Sequence, residues 1–192
     1  MTASRLPRVV LLGYQFDAMP LILVTPLSML PEMLRTYQPS HLISLLSPEF
    51  MIETPGGFPA GRHLRVAVHD ICEPVDGKHH PAEEHITAIF EFARGWDGKQ
   101  PMIVHCWAGV SRSMAAAYVI LCARAGHGAE TGIAQEIRTR AAHAYPNRAI
   151  VRLADSVLGR QGTMIKAVEE MGPGTMVEEG TPVEFPLAAF AL

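Results

Sequence analysis

At 192 residues and 20.9 kDa the chain has the length of one domain, and 48% hydrophobic residues supply a sizeable core, which excludes intrinsic disorder. Sixteen Lys and Arg against 19 Asp and Glu leave a net charge of −3, so no overall basic field exists to hold nucleic acid or an anionic membrane. Three cysteines, an odd number in a chain that is not cysteine-dense, make no disulfide framework and point to a reducing compartment.

The N-terminal apolar run at 9–13 is too short for a signal-peptide core and is not followed by a small-residue cleavage site. With 115–123 as the longest apolar stretch, about half a bilayer crossing, the expectation is a soluble cytoplasmic protein. Residues 9–12 and 21–24 read as strands, either a hairpin or two neighbours, across a polar turn that ends in proline. Ser28 is placed to cap a helix to about Thr36, with Leu27, Leu30 and Leu34 on one side and Pro39 as its stop. The run 41–47 (HLISLLS) is of buried-strand type, 53–61 (ETPGGFPAG) is a loop, 64–68 (LRVAV) is a strand and 69–81 a second loop.

From residue 82 the period changes. Ile86, Ile89, Phe90 and Ala93 predict a helix over 82–96. A short buried strand at 102–104 (MIV) precedes an alanine-rich helix at 111–125, and further helices are expected at 129–142 and 150–171. Residues 1–171 read as a single domain, with 172–192 as a tail that packs on it or stays partly flexible. Strands alternating with helices, then helices alone, predict a short α/β sheet wrapped by helices.

The chemistry concentrates in 102–113, MIVHCWAGVSRS. A buried strand ends in His105 and Cys106, a five-residue loop follows, and Arg112 and Ser113 open a helix. Ligands of α/β sheets bind beyond the carboxyl ends of strands, where Cys106 falls. A loop entering a helix N-terminus turns successive amides towards one point, which suits a tetrahedral oxyanion and also stabilises a thiolate. The candidate phosphate-binding residues are therefore Trp107, Ala108, Gly109, Val110, Ser111 and Arg112, with Cys106 as nucleophile. Gly109 permits the tight turn, and Arg112 offers a planar fork for two phosphate oxygens. Ser113 is placed to hydrogen-bond the sulfur as a leaving group, and His105 to brace the loop backbone.

The string His105-Cys106-x5-Arg112-Ser113 resembles the signature loop of the cysteine-dependent protein tyrosine phosphatases, most closely the dual-specificity branch. The resemblance runs over about 21–154. LRVAVHDI at 64–71 is similar to that branch's acid-loop entry, and Ile137-Arg138 with Pro146-Asn147 to its downstream features. It implies a short, mostly parallel central sheet flanked by helices, with Asp70 as general acid. The chain departs from the pattern where the first of two common acidic places is His69. The loop also lacks the lysines usual in phosphatases of charged inositol lipids.

Asp76, in a turn between Pro74 and Gly77, is the rival acid, and spacing alone does not choose between it and Asp70. Cys122 reads as core packing, and Cys72 either as a plain loop thiol or as a disulfide partner of Cys106. His63, His69, His79, His80 and His85 cluster around the acid loop in no zinc spacing. Trp107 either rims the pocket or packs beneath it. The expectation is a phosphomonoester hydrolase acting through phosphocysteine, on a phosphorylated protein or peptide, with no metal, no cofactor and no nucleic-acid or membrane partner. The rivals are a binding-only protein and a small-molecule, RNA-end or lipid phosphatase using the same loop. The sequence sets no oligomeric state.

Overall fold

The computed structural model describes residues 9–11, 14–16 and 20–190. β1 (Val9–Leu11) pairs antiparallel with β2 (Tyr14–Phe16), so the partner of the first strand lies inside the segment expected as a turn; Leu12 is outside the described residues. The expected pairing of the first run with 21–24 does not form, because that run is taken by the main sheet. This sheet contains β3 (Leu21–Pro26), β4 (His41–Leu46), β5 (His63–Ala67), β6 (Met102–Cys106) and β7 (Val183–Pro186). Their order is β5-β4-β6-β3-β7, parallel except for β7. The middle strands read as continuous apolar runs because both of their faces are covered.

The two covers differ. On one face Ile22, Val24, Ile43, Leu45, Met102 and Val104 join the large core. That core is closed by α2 (Glu83–Arg94), α3 (Arg112–Ala125), α4 (Glu130–Arg140), α5 (Arg148–Val157) and α6 (Thr163–Met171). On the other face Leu23, Leu42 and Ile103 meet Leu30 and Met33 of α1 (Leu30–Tyr37), with Leu34 and Tyr37 of the same helix, Leu27 and Met29 before it, and Ile52 and Phe58 of the loop before β5 alongside. Every residue of α3 from Arg112 to Cys122 is buried, which is why this helix is apolar all round and why its alanines let neighbouring elements approach closely. It packs directly on β6 and β3 and so fixes the loop that joins it to β6.

Two local expectations are corrected, and the tail gains a defined element. Ser28 caps no helix: 27–29 is a 3₁₀ turn, α1 starts at Leu30 with Pro31 in its first turn, and the Ser28 hydroxyl donates to Glu179 at 2.7 Å. The single helix expected over 150–171 is two. Arg160, between them, is buried, pairs with Glu130 at 2.8 Å and donates to the Cys122 carbonyl at 2.7 Å. Asp155 of α5 then accepts from the Gly162 and Met164 amides at 2.7 and 2.9 Å, satisfying donors at the start of α6. Finally, 172–192 contributes β7, which adds to β3 antiparallel. Among the described residues no helix is long and apolar enough to cross a membrane.

Candidate active site

β6 delivers Cys106 to the carboxyl end of the sheet, where Pro26 of β3 lies opposite it. The loop 107–111 then has its carbonyls held from outside. The Trp107 carbonyl accepts from the Leu27 amide at 3.1 Å, Ala108 from Gly180 at 2.8 Å, and Val110 from Tyr145 at 3.0 Å. Ser111 accepts from Ala115 at 2.9 Å and Asn147 at 3.3 Å. In a trans peptide the next N–H points opposite to its carbonyl. The amides of Ala108, Gly109, Ser111 and Arg112 are therefore turned inward, at the N-terminus of α3, where the helix dipole favours negative charge. Gly109 has φ +71°, and a Cβ there would sit 2.8 Å from the Pro26 nitrogen, so this place takes only glycine. Gly180 lies close against His143, where a Cβ would come within 2.5 Å of Nε2 unless that ring moved.

Cys106 and Ser113 are buried, and their Sγ and Oγ atoms are 3.1 Å apart. Arg112, 5% exposed, is anchored by an Nη1 donation to the Val68 carbonyl at 2.8 Å. Its Nε is buried without a hydrogen-bond partner and lies 3.7 Å from Asp70 Oδ2. The hydrogen bonds to Asp70 fall on its other oxygen: Oδ1 accepts from Ser111 Oγ at 2.6 Å and from Asn147 Nδ2 at 2.8 Å. Asn147 also accepts from the Ile150 amide at 3.1 Å as the N-cap of α5, so one side chain joins the acid loop to that helix. Asp76 lies in an exposed turn closed by Lys78 N–H to Val75 O at 3.0 Å, with no hydrogen bond to the signature loop among the described residues.

His69, in the first acidic place, closes the neck of the acid loop. It donates its amide to the His79 carbonyl and accepts the His79 amide at Nδ1, both at 2.9 Å, while Nε2 lies 3.3 Å from Glu49. Beside Glu49, Phe50 packs on Trp107 with ring centroids 5.0 Å apart, and both rings are more than half exposed. Trp107 therefore rims the site rather than packing beneath it. All three cysteines are free. Burial pushes the Cys122 thiol up to about 12, while Cys72 lines a cavity of about 220 Å³ with Val151, Ile165 and Val168. Of the histidines grouped in sequence, His69 and His79 stay together, while His63 enters the sheet and His85 accepts the Ala82 amide at the start of α2.

His105 is fully buried on the α1 face of the sheet, and burial lowers its pKa from 6.5 to about 4. In the folded chain the ring stays neutral down to about pH 4, whereas in the unfolded chain it takes a proton from about pH 6.5. Acid thus favours unfolding: the contribution is intact above pH 6.5 and is lost as pH falls to 4, about 3 kcal/mol in all at roughly 1.4 kcal/mol per unit. Urea melts at pH 7 and pH 4.5 should show this loss, and the difference should shrink in His105→Asn. An unchanged difference would assign the acid sensitivity to other groups.

Sequence reasoning singled out none of Ser44, Phe50 and Gly180; it weighed His63 only within the histidine cluster and quoted Asn147 only for the family resemblance. Asn147 carried a usable signal, an Asn ahead of an apolar-periodic segment; the others carried none. No protein-family model and no curated relative matches the sequence. Solved structures do match. DUSP15 is 19% identical, with 82% of this chain and 96% of that one covered and a TM-score of 0.52. The human tyrosine phosphatase-like serine/threonine/tyrosine-interacting protein is 18% identical over 70% of this chain and 85% of that one, with a TM-score of 0.53. PTPMT1, solved in complex with PI(5)P, is 18% identical over 80% and 93%, with a TM-score of 0.50. The chain has the fold of the cysteine-dependent phosphatases, with a mostly parallel central sheet flanked by helices.

Proposed function

We propose that the protein is a phosphomonoester hydrolase that works through a phosphocysteine intermediate on phosphorylated protein or peptide side chains. The observation that carries this reading is the buried Arg112, whose Nε has no hydrogen-bond partner, at the end of a loop whose carbonyls are bonded to surrounding residues and whose first residue follows Cys106. The Cys106 thiolate attacks phosphorus in line with the ester oxygen. The amides and Arg112 hold the non-bridging oxygens as charge shifts onto them. Asp70 protonates the departing oxygen. Ser111 and Asn147 both hold Oδ1, which leaves Oδ2 as the oxygen without a hydrogen bond. Water then attacks the phosphocysteine and gives its proton back to Asp70, while Ser113 donates to the departing sulfur. No step needs a metal or cofactor. Three unpaired cysteines suit a reducing compartment, which keeps the thiol usable.

The Trp107–Phe50 wall supports a substrate that brings apolar surface to the phosphate, and the absence of lysine from 107–111 weighs against densely charged inositol headgroups. A machinery with Cys106, Arg112 and Ser113 all assembled argues against a binding-only role. The test is turnover of p-nitrophenyl phosphate, of phosphotyrosine, phosphoserine and phosphothreonine peptides, and of phosphoinositide vesicles. Arg112→Lys should lower kcat/KM by about 10²–10³-fold in a protein that still folds, because a point charge replaces the fork. Wild-type protein that turns over none of these esters would sink the reading, and faster turnover of the vesicles than of every peptide would move it to lipids.

A further inference from the structure

The acid loop leaves the end of β5 and folds back on itself, and its two arms meet at His69 and His79. The outgoing arm is tied to α5: Asp70 and Ile71 accept from Asn147, and Cys72 and Glu73 accept from Arg152. The return arm has no such ties. Among the described residues, 74–79 makes one turn bond of its own, Lys78 N–H to Val75 O, and its other hydrogen bonds all run from His79 to His69.

The hydrogens on the His69 ring follow from its partners. Nδ1 receives the His79 N–H at 2.9 Å, and a ring nitrogen that accepts carries no hydrogen of its own. The neutral ring is therefore Nε2–H, and that hydrogen points to Glu49 Oε1 at 3.3 Å. Both nitrogens are satisfied, in a residue only 8% exposed. A second proton has one place to go, Nδ1, where it meets the His79 N–H head on. The charged ring keeps Glu49 as an ion pair, so releasing His79 leaves no charge buried alone. The imidazole thus has two bonded arrangements, one with the loop fastened and one without. An acidic side chain in this place would accept the same N–H across the neutral range, so the alternative belongs to the histidine.

We propose that His69 is a positioning residue for Asp70: its neutral imidazole latches the return arm of the acid loop to the outgoing one, and a second proton releases the latch. Ser111 and Asn147 hold a carboxylate oxygen of Asp70, whereas the neck holds the backbone directly before it. Opening the neck therefore loosens the acid without removing it. The ring also reaches Glu49, whose neighbour Phe50 packs on Trp107, so one side chain joins the acid loop to the apolar wall of the site. The charged and titratable groups that face it are Glu49 on the turn 48–50, His79 and Lys78 on the return arm, and Asp70 with Arg112 on the side of the signature loop.

The proposal rests on Asp70 as the acid of the proposed hydrolysis, and one arm of its test reads the latch without turnover. Nitrogen-15 spectra of the wild-type protein should show His69 as Nε2–H at about pH 8, and on acidification to about pH 5 the His79 amide proton should move upfield in step with that ring. His69 as Nδ1–H, or a His79 amide that stays in place while the ring takes its proton, would overturn the latch. In turnover, His69→Ala should lower kcat about tenfold for a phosphotyrosine peptide and at most about twofold for an aryl ester that needs no proton. His69→Asn should restore the peptide rate, because its Oδ1 stands where Nδ1 does and accepts from His79. It takes no second proton, and every other ionisation is shared with wild type. The peptide kcat of His69→Asn relative to wild type should therefore rise about threefold or more from about pH 8 to about pH 5. A flat ratio would overturn the proposal even where His69→Ala does not fold. Spectra as expected, from a protein that hydrolyses no phosphate ester, would keep the latch and reject the hydrolase reading.

Discussion

Replacing Cys106 by serine should cut ester turnover by at least about 10⁴-fold while phosphate and vanadate still bind within a few-fold of wild type. The two effects separate because they come from different atoms. Turnover needs a nucleophile that is ionised near neutral pH, and a serine hydroxyl in the same place is not. Binding needs the inward amides and the guanidinium, which are fixed by Leu27, Gly180, Tyr145, Asn147 and Val68, none of which touches the sulfur. Serine is also smaller than cysteine, so the buried site accepts it without overpacking. Calorimetric titration with vanadate, beside a turnover assay, checks both halves. Joint loss of binding and of the folding transition would mark Cys106 as a structural thiol instead.

The second large effect is expected at Asp70. Asp70→Asn should lower kcat by about 10²–10⁴-fold for a phosphotyrosine peptide, whose leaving oxygen needs a proton. It should lower kcat far less for an aryl ester whose phenol leaves unaided, and the acid-dependent limb for the peptide should disappear. Asn keeps the Oδ1 acceptor for Ser111 and Asn147, so the acid loop stays in place while the transferable proton is removed. Asp76→Asn, in its exposed turn, should leave both substrates alone. A leaving-group-dependent loss in Asp76→Asn and none in Asp70→Asn would reverse the assignment.

What could be read from sequence follows from how far apart the participating residues lie. Cys106, Arg112 and Ser113 sit within one strand–loop–helix segment, and such a segment carries its geometry with it. Asp70 was legible at one remove, because its strand had to end at the same edge of the sheet. Ser44 and His63 were not. Each looks like an ordinary polar residue in an apolar run, and only the register of β4 against β6 brings Ser44 opposite His105. His63 was grouped with the acid-loop histidines by proximity in the chain, although the length of β5 separates them. The break between α5 and α6 did leave a mark in the sequence, because Gly159 and Gly162 take φ values of +63° and +87° between the two helices, whereas the buried pair of Arg160 with Glu130 leaves no periodic trace.

The position of β7 bears on how the protein stays dispersed. Without it, the backbone of Leu21–Val24 (LILV) would be the outer rail of the sheet, with unpaired amides and carbonyls along an apolar stretch. Such a rail is a template for a strand from another molecule, and sequences of this kind seed aggregates. Val183–Pro186 occupies those groups, and Pro186 and the alternating, partly exposed Glu184 make a poor surface for further growth. Val183–Pro186 thus covers an edge that would otherwise be open to pairing, and deleting it should lower solubility before it lowers activity.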